Sequence, residues 1–228
     1  MAKVRAKAAE EEEVIVEEVG TDVSAEDFLS QNQNLILVIV LLIVVVAGAL
    51  IYFFSNQGSQ NAEANEAMFQ AIYYYEQDSL NLALNGDGNN YGFLDVIDEY
   101  GSTDASDIAK YYAGVISVRQ GLTAEGIDYL QSVSTGDNML GMSTAMALGF
   151  AYEEQGDYEK AAASFEDAAS IPAENDQTTP TMLFNAGRNY EAAGNISKAR
   201  ALYQQIKDKY PTSTEGFRID KYLGRVSE

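Results

Sequence analysis

No cysteine, histidine or tryptophan occurs in this chain of 228 residues. Without cysteine and histidine it can form neither a disulfide nor a thiolate nucleophile, and it lacks the usual ligands of zinc and the usual general base. Carboxylates, lysine, tyrosine and hydroxyl groups remain, but carboxylate pairs such as Asp98-Glu99 fall on helical faces, where solvated charges are ordinary. The composition therefore predicts a protein that is not an enzyme and that needs no cofactor or metal.

Basic residues are scarce and unevenly placed. The chain has 14 Lys and Arg against 35 Asp and Glu, for a net charge of −21. Residues 1–34 hold three basic and nine acidic residues, residues 55–159 hold two and seventeen, and residues 160–228 hold nine of each. Because nucleic-acid binding requires clustered Lys and Arg, this distribution predicts that the protein does not bind nucleic acid.

Residues 35–54 form an unbroken apolar run that reads LILVIVLLIVVVAGALIYFF. Sixteen of its twenty residues are Leu, Ile, Val or Phe, and none is charged. At about 1.5 Å per residue a helix of this length spans roughly 30 Å, the thickness of a bilayer's hydrocarbon core. These side chains favour insertion by on the order of 5–10 kcal/mol in total. We therefore predict a single transmembrane helix at 35–54.

A cleaved signal peptide is the competing interpretation of this run, with small residues at 47–49 as the cleavage site. The residues before the run are acidic or amides rather than basic, and the run continues five residues beyond Ala49. Both features favour an uncleaved anchor.

The basic residues near the run predict its orientation. Lys3, Arg5 and Lys7 precede it, and the next basic residue after it is Lys110. The positive-inside bias then places the N-terminus in the cytoplasm and the large C-terminal part outside. These charges lie about 28 residues before the run, where the bias weakens, so a reversed topology with a cytoplasm-facing receptor stays open.

The segments on either side of the predicted span differ in composition. Residues 1–34 are acidic and poor in core-forming residues, which predicts a largely disordered cytoplasmic tail. Residues 55–105 predict a membrane-proximal helix pair. Apolar residues recur at helical spacing over 64–82, and YGFLDVIDEYG forms a second helix that ends near Gly101.

The connection within this pair contains Asn85-Gly86-Asp87-Gly88-Asn89, which is similar to the start of a calcium loop. An EF-type loop needs Gly at its sixth position and a bidentate Glu at its twelfth. Counted from Asn85, those positions hold Asn90 and Val96. Asn and Gly also tolerate the left-handed backbone angles of tight connections. The pattern predicts a structural turn and no metal site.

The rest of the chain contains an internal repeat. A small residue follows at +12 and an aromatic residue at +16 from a glycine in two units: Gly149, Ala161 and Phe165, then Gly187, Ala199 and Tyr203. A weaker third copy has Gly114, Gly126 and Leu130. Small residues let two antiparallel helices approach closely while the large side chain fills the groove beside them. The expected helix starts agree with this repeat, since Asp157 and Asn195 are typical N-cap residues.

This pattern resembles the tetratricopeptide repeat over residues 106–212, although the leading Trp of that motif is absent. Residues 219–226 add one apolar stripe (Ile219, Tyr222, Leu223 and Val226) that predicts a capping helix. The predicted fold class is all-α: a single transmembrane helix at 35–54, a helix pair at 55–105, and a tetratricopeptide-type α-solenoid with a C-terminal capping helix at 106–228.

The resemblance implies a concave face that binds other proteins. The residues of this chain that correspond to the family's concave positions are Tyr111, Val115, Arg119, Met146, Phe150, Glu153, Phe184, Arg188 and Glu191. Aromatic and aliphatic residues stand where carboxylate-clamping members carry Lys and Asn. The groove is therefore expected to take extended or unfolded chain rather than a charged C-terminal tail.

The order of short tail, single span and repeats resembles the YfgM-type ancillary subunit of the SecYEG translocon. The resemblance implies a bacterial inner-membrane protein with a periplasmic C-terminal domain. Its implied partners are the translocon, a periplasmic chaperone or prolyl isomerase, or emerging secreted chains. The sequence departs from that family at residues 31–34, which are amides where basic residues are expected. An envelope assembly scaffold that holds fixed subunits, for cell division or a secretion machine, is the alternative.

Overall fold

The computed structural model describes residues 32–134, 136–171 and 177–227, except for the side chains of residues 52–57. Every regular element in that part of the chain is helical, which confirms the predicted all-α class. In chain order the elements are α1 (Gln33–Glu76), α2 (Leu80–Asn85), α3 (Phe93–Glu99), α4 (Asp104–Arg119), α5 (Thr123–Gln131), α6 (Asn138–Gln155), α7 (Tyr158–Ser170), α8 (Thr178–Ala192), α9 (Ile196–Lys209), a 3₁₀ turn (Gly216–Arg218) and α10 (Ile219–Arg225). Residues 1–31 of the predicted acidic tail lie outside the described residues.

The chain divides into one unit that ends at Phe53 and a second that begins at Phe54. In the first unit, the stretch Gln33–Ile51 of α1 has a mean hydropathy of 3.2, and none of it is buried. Leu41 and Val45, for example, are 64% and 63% exposed. Within the described residues this is the one helix that is long and apolar enough to cross a membrane, by length and composition alone. A signal sequence has the same properties.

The apolar stripe predicted over 64–82 is divided between two helices rather than carried by one. α1 ends at Glu76, and Asp78 has a φ of 58°, a left-handed conformation that Asp adopts more readily than most residues. The amide of Asp78 donates to the carbonyl of Tyr75 at 3.0 Å, which closes the end of α1. The chain then turns into α2, which buries Leu84 in the core.

The second unit begins with a core shared by the end of α1, α2, α3 and α4. Phe93, the first residue of α3, is fully buried, and its ring stacks on that of Tyr112 from α4 at 4.9 Å and 7°. Tyr75 meets the same Tyr112 ring edge-on at 4.9 Å. The buried aliphatic residues of this cluster are Ala64, Met68, Ala71, Ala83, Leu84, Val96, Ala105, Ala109, Ala113 and Ile116.

Three helix hairpins follow, α4–α5, α6–α7 and α8–α9, and glycines lie where the paired helices cross. A Cβ added at Gly149 would lie 2.8 Å from the ring of Phe165, and one at Gly187 would lie 2.5 Å from Cε1 of Tyr203. Both rings are fully buried. The aromatic residue at +16 therefore packs directly on the glycine backbone, and the predicted crossing geometry is confirmed in both units.

The α4–α5 hairpin has the same arrangement with leucine in place of the aromatic residue. A Cβ at Gly114 would lie 2.6 Å from Cγ of Leu130, and one at Gly126 would lie 2.7 Å from the carbonyl oxygen of Gly114. Two glycines facing each other bring these backbones closer than alanine would permit. The weak third copy of the repeat is thus a hairpin of the same design.

Both predicted N-caps are confirmed. The carboxylate of Asp157 accepts a hydrogen bond from the amide of Lys160 at 3.3 Å, and the side chain of Asn195 accepts one from the amide of Lys198 at 3.3 Å. Gly156 precedes the first cap with a φ of 82°, which a residue with a Cβ adopts only under strain. These turns reverse the chain between the repeats' first and second helices.

The predicted capping helix is α10. Its first residue, Ile219, and the following Val226 are each 1% exposed in the core formed by α8 and α9. Arg200 of α9 donates from Nε to the carbonyl of Val226 at 2.8 Å. α10 thereby covers apolar surface that the last hairpin would otherwise expose.

Candidate protein-binding groove

α4 and α6, the first helices of two successive hairpins, contact each other. Of two cavities between them, a larger one of about 630 Å³ is lined by the first turns of both helices. A smaller one of about 220 Å³ is lined mainly by their later turns. Tyr111 and Ser143 line both cavities. The two cavities therefore adjoin each other along α4 and α6, and together we call them the α4–α6 groove.

Local capping explains where the two helices begin. The hydroxyl oxygen of Thr103 accepts from the amide of Ser106 at 3.1 Å at the start of α4. The carboxylate of Asp137 accepts from the amide of Leu140 at 2.8 Å at the start of α6. Each cap satisfies an amide that has no partner within its helix. The helix starts are thus set by local sequence, and they meet at the larger cavity.

The larger cavity has an apolar lining with acidic residues at the helix starts. Ile108 and Tyr111 come from α4, and Met139 and Leu140 come from α6. Within the described residues Met139 is 75% exposed, a high value for an apolar side chain. Exposed apolar side chains in a groove are typical of a surface that binds a partner.

Five of the nine residues predicted for partner binding line the smaller cavity: Tyr111, Val115, Arg119, Met146 and Phe150. Phe150 is 50% exposed, and its ring meets the buried ring of Phe165 edge-on at 5.0 Å. Burial, with smaller contributions from Tyr75 and Tyr112, raises the pKa of Tyr111. Its phenol therefore stays neutral near pH 7 and can both donate and accept a hydrogen bond.

The guanidinium of Arg119 is already paired within the protein. Its NH2 nitrogen lies 2.6 Å from the Asp78 carboxylate, and its Cζ lies 5.9 Å from the centre of the Tyr75 ring. The hydrogen bond to Asp78 raises the pKa of Arg119. The residue therefore lines the cavity with a neutralised charge rather than a free cation.

The other four predicted residues line neither cavity. Glu153 and Arg188 are paired at 3.9 Å, and Glu191 is paired with Arg225 at 2.5 Å. Phe184 is only 5% exposed. These residues lie on α6 and α8, where their partners are other groups of the same chain.

The burial of Phe184 has a definite cause. Tyr222 of α10 meets its ring edge-on at 4.7 Å, and the Cζ of Arg218 lies 4.6 Å from the ring centre. Met146 occupies the equivalent position in the preceding repeat, three residues before Gly149 as Phe184 is before Gly187, and it is only partly buried. The C-terminal residues therefore make the burial of two side chains differ although both occupy the same position in their repeats.

Several groove residues were missed by the sequence reasoning. Ile108 lies one turn before Tyr111 on the same face of α4, and Ser143 and Met139 lie one and two turns before Met146 on α6. Helical periodicity alone could have extended the predicted face to these positions. The family pattern supplied only positions on the later turns of these helices.

The loop that resembles a calcium site is organised by hydrogen bonds within the protein. The Asp87 carboxylate accepts from the amides of Asn89 and Asn90 at 2.8 and 2.7 Å, and from the side-chain amide of Asn90 at 2.9 Å. The Tyr74 hydroxyl donates to it at 2.7 Å. No group of three or more acidic residues that could hold a metal ion occurs among the described residues.

These donors change the ionisation of Asp87. The hydrogen bond from Tyr74, followed by those from Asn90 and Asn89, lowers the pKa of the Asp87 carboxyl well below its ordinary value. Because the folded pKa lies below the unfolded one, the carboxylate contributes fully to stability above its ordinary value of about 3.9. That contribution is lost as the pH falls from there through the folded pKa.

We expect the amide resonances of Asn89 and Asn90 to stay constant from neutral pH to about pH 4, near the ordinary Asp pKa, and to shift only below it. Nuclear magnetic resonance titration measures this. The D87N variant lacks the carboxyl group and should not show the transition. A transition at the ordinary Asp pKa would contradict the loop geometry.

A comparison with known protein families finds a match in the region of the second and third hairpins, α6–α7 and α8–α9. Residues 141–211 match the family model of the tetratricopeptide repeat. The matched stretch includes most of α6 and all of α9, while α4 and α5 precede it. No curated protein matches the chain. Tetratricopeptide repeats are a non-catalytic, protein-interaction repeat type, so the match supports a tetratricopeptide repeat protein that acts as an interaction scaffold.

Proposed function

We propose that this protein is a membrane-anchored scaffold that binds a segment of another protein in the α4–α6 groove. The observation that carries the proposal is the groove itself. Five residues predicted for recognition meet there, and apolar side chains as exposed as Met139 and Phe150 line it. A groove of this kind binds extended chain or an amphipathic helix through apolar anchors.

The size of the groove favours a transient complex. Two buried anchors of the size of Leu or Phe contribute about 3–6 kcal/mol, and the loss of motional freedom on association opposes this gain. We therefore expect affinities near or weaker than about 1 μM. Rapid exchange suits a protein that handles many client segments better than one that holds a permanent subunit.

The membrane anchor of the proposal is the apolar stretch Gln33–Ile51 of α1. Lys3, Arg5 and Lys7 favour a cytoplasmic N-terminus, which places the helical unit in the periplasm of a bacterial inner membrane. The resemblance to the YfgM-type ancillary subunit supports an accessory role at the Sec translocon. The partners would then be the translocon, a periplasmic chaperone or prolyl isomerase, or emerging secreted chains.

Site-specific photocrosslinking in living cells tests this function. A photoreactive residue replaces Phe150 inside the groove or, as a control, Phe217, which is 80% exposed and lines neither cavity. We expect position 150 to crosslink to a translocon subunit, a periplasmic chaperone or newly exported chains, and position 217 to give far less of the same product. Equal yields at the two positions, or no product at 150, would contradict the proposal.

The same cells distinguish the alternatives. Protease added to intact spheroplasts should digest the helical unit if it is periplasmic, whereas complete protection would place it in the cytoplasm. A single stoichiometric crosslink to a division or secretion subunit would indicate the envelope assembly scaffold instead.

A further inference from the structure

The α4–α6 groove lies in the most acidic part of the chain. Residues 55–159 contain seventeen Asp and Glu but only two basic residues, Lys110 and Arg119. Residues 160–228 contain nine of each. A surface with such an excess of one sign produces a negative potential that acts on any approaching segment. The groove therefore offers apolar contacts within an acidic surround.

Both basic residues of this region are paired inside the protein. Lys110 lies 2.9 Å from Asp107, and Arg119 lies 2.6 Å from Asp78. Each pair cancels one positive charge against one negative charge. The acidic excess of residues 55–159 is therefore not opposed by a free cation from that stretch.

Two carboxylates lie directly at the larger cavity. Asp104, the first residue of α4, is exposed, and Asp137 caps α6; both line the cavity together with Ile108, Met139 and Leu140. Acidic residues at helix starts are common because they complement the helix dipole. Here two of them lie at one end of an apolar groove, where they also face its occupant.

We propose that the occupant of the α4–α6 groove is a cationic apolar segment, in which Lys or Arg residues flank the apolar anchors. This inference rests on the proposed function of the groove. Apolar side chains enter the two cavities, and the flanking cations lie against Asp104, Asp137 and the surrounding negative potential. The chain's own residues 1–34 fit poorly, because their nine acidic residues outnumber three basic ones.

Three short synthetic peptides test the inference. They share one leucine-rich core and carry Lys, Gln or Glu on both flanks, and their binding to the full-length protein in nanodiscs of neutral lipid is measured by fluorescence anisotropy. We expect the Lys peptide to bind about tenfold more tightly than the Gln peptide, and the Glu peptide most weakly. High salt should reduce the differences, because it screens exposed charges.

Matched variants locate the effect. The D104N/D137N variant removes both carboxylates at the cavity while Asn preserves the N-cap, and it should lose most of the preference for Lys. The D157N/E159Q variant removes a capping and a first-turn carboxylate from α7, whose start lines neither cavity, and should keep the preference. Circular dichroism verifies that both variants are folded.

The outcomes separate the two proposals. If the three peptides bind equally well and F150D abolishes all binding, the groove binds segments but does not select cations, and only this inference is overturned. If none of the peptides binds, or F150D changes nothing, the groove proposal fails and the inference fails with it. A Lys preference that D157N/E159Q removes as fully as D104N/D137N would also overturn the inference.

Discussion

Phe165→Ala is expected to lower the free energy of unfolding by about 3–5 kcal/mol, the usual cost of removing a buried phenyl ring. The ring is fully buried, it packs on the backbone of Gly149, and Phe150 meets it edge-on at 5.0 Å. Its removal leaves a cavity between α6 and α7. Because the helices of a solenoid are held by their neighbours, the loss should appear first as faster hydrogen exchange in this hairpin.

Urea denaturation of the full-length protein in detergent, followed by circular dichroism, measures the effect. Phe217→Ala is the matched control, since the same side chain is removed from a position that is 80% exposed. Its expected change is within about 0.5 kcal/mol, as for most surface substitutions. Equal unfolding midpoints for the two variants would contradict the packing described here. The control also shows whether the loss of any phenyl ring alters the detergent-bound state.

Gly149→Ala is expected to destabilise the protein by about 1–2 kcal/mol although alanine is the better helix former. The added Cβ would lie 2.8 Å from three atoms of the Phe165 ring, and that ring is fully buried. Overpacking of this kind costs about 1–3 kcal/mol, which exceeds the gain of up to about 1 kcal/mol from helix propensity. Urea denaturation under the same conditions measures the difference.

Gly141→Ala on the same helix is its matched control. The nearest atom to the added Cβ would be Cδ1 of Ile171 at 3.6 Å, an ordinary van der Waals contact. Only the gain in helix propensity remains, so this variant should be more stable than the parent by up to about 1 kcal/mol. The two substitutions should therefore have opposite signs. Destabilisation of both by the same amount would mean that the close approach at Gly149 is not the cause of the destabilisation.

The helix hairpins could be predicted from sequence because their determinants are close together in the chain. Gly149 and Phe165 are sixteen residues apart, and the same interval separates Gly187 from Tyr203. The turn inside each interval has its own cap, so the interval fixes which residues meet. A periodic pattern of small and large side chains is thus sufficient to predict a helix crossing.

The interrupted stripe over 64–82 shows where such reasoning fails. Helical periodicity continues through the stretch, yet Asp78 adopts a left-handed conformation and α2 begins anew at Leu80. The break lets α2 bury Ala83 and Leu84 in the core shared with α4. Tertiary packing therefore overrides local propensity at this point.

The groove was predictable in part for the same reason. The face of α4 that contains Tyr111 and Val115 follows from helical spacing, but the pairing of Arg119 with Asp78 joins residues 41 positions apart. No repeat pattern encodes that contact. The acidic excess around the groove can be counted in the sequence, but the pairing of Arg119 follows only from the folded arrangement.

The helical class, the apolar helix that is long enough to cross a membrane and the hairpin crossings could all be predicted from sequence, because each depends on residues within a few turns of one another. Which repeat positions remain accessible depends on the tertiary packing. Met146 and Phe184 occupy the same repeat position, yet Met146 is partly buried and Phe184 is 5% exposed, because Arg218 and Tyr222 near the end of the chain cover Phe184. Contacts between distant segments depend on how whole helices dock, and a local sequence pattern does not encode that docking.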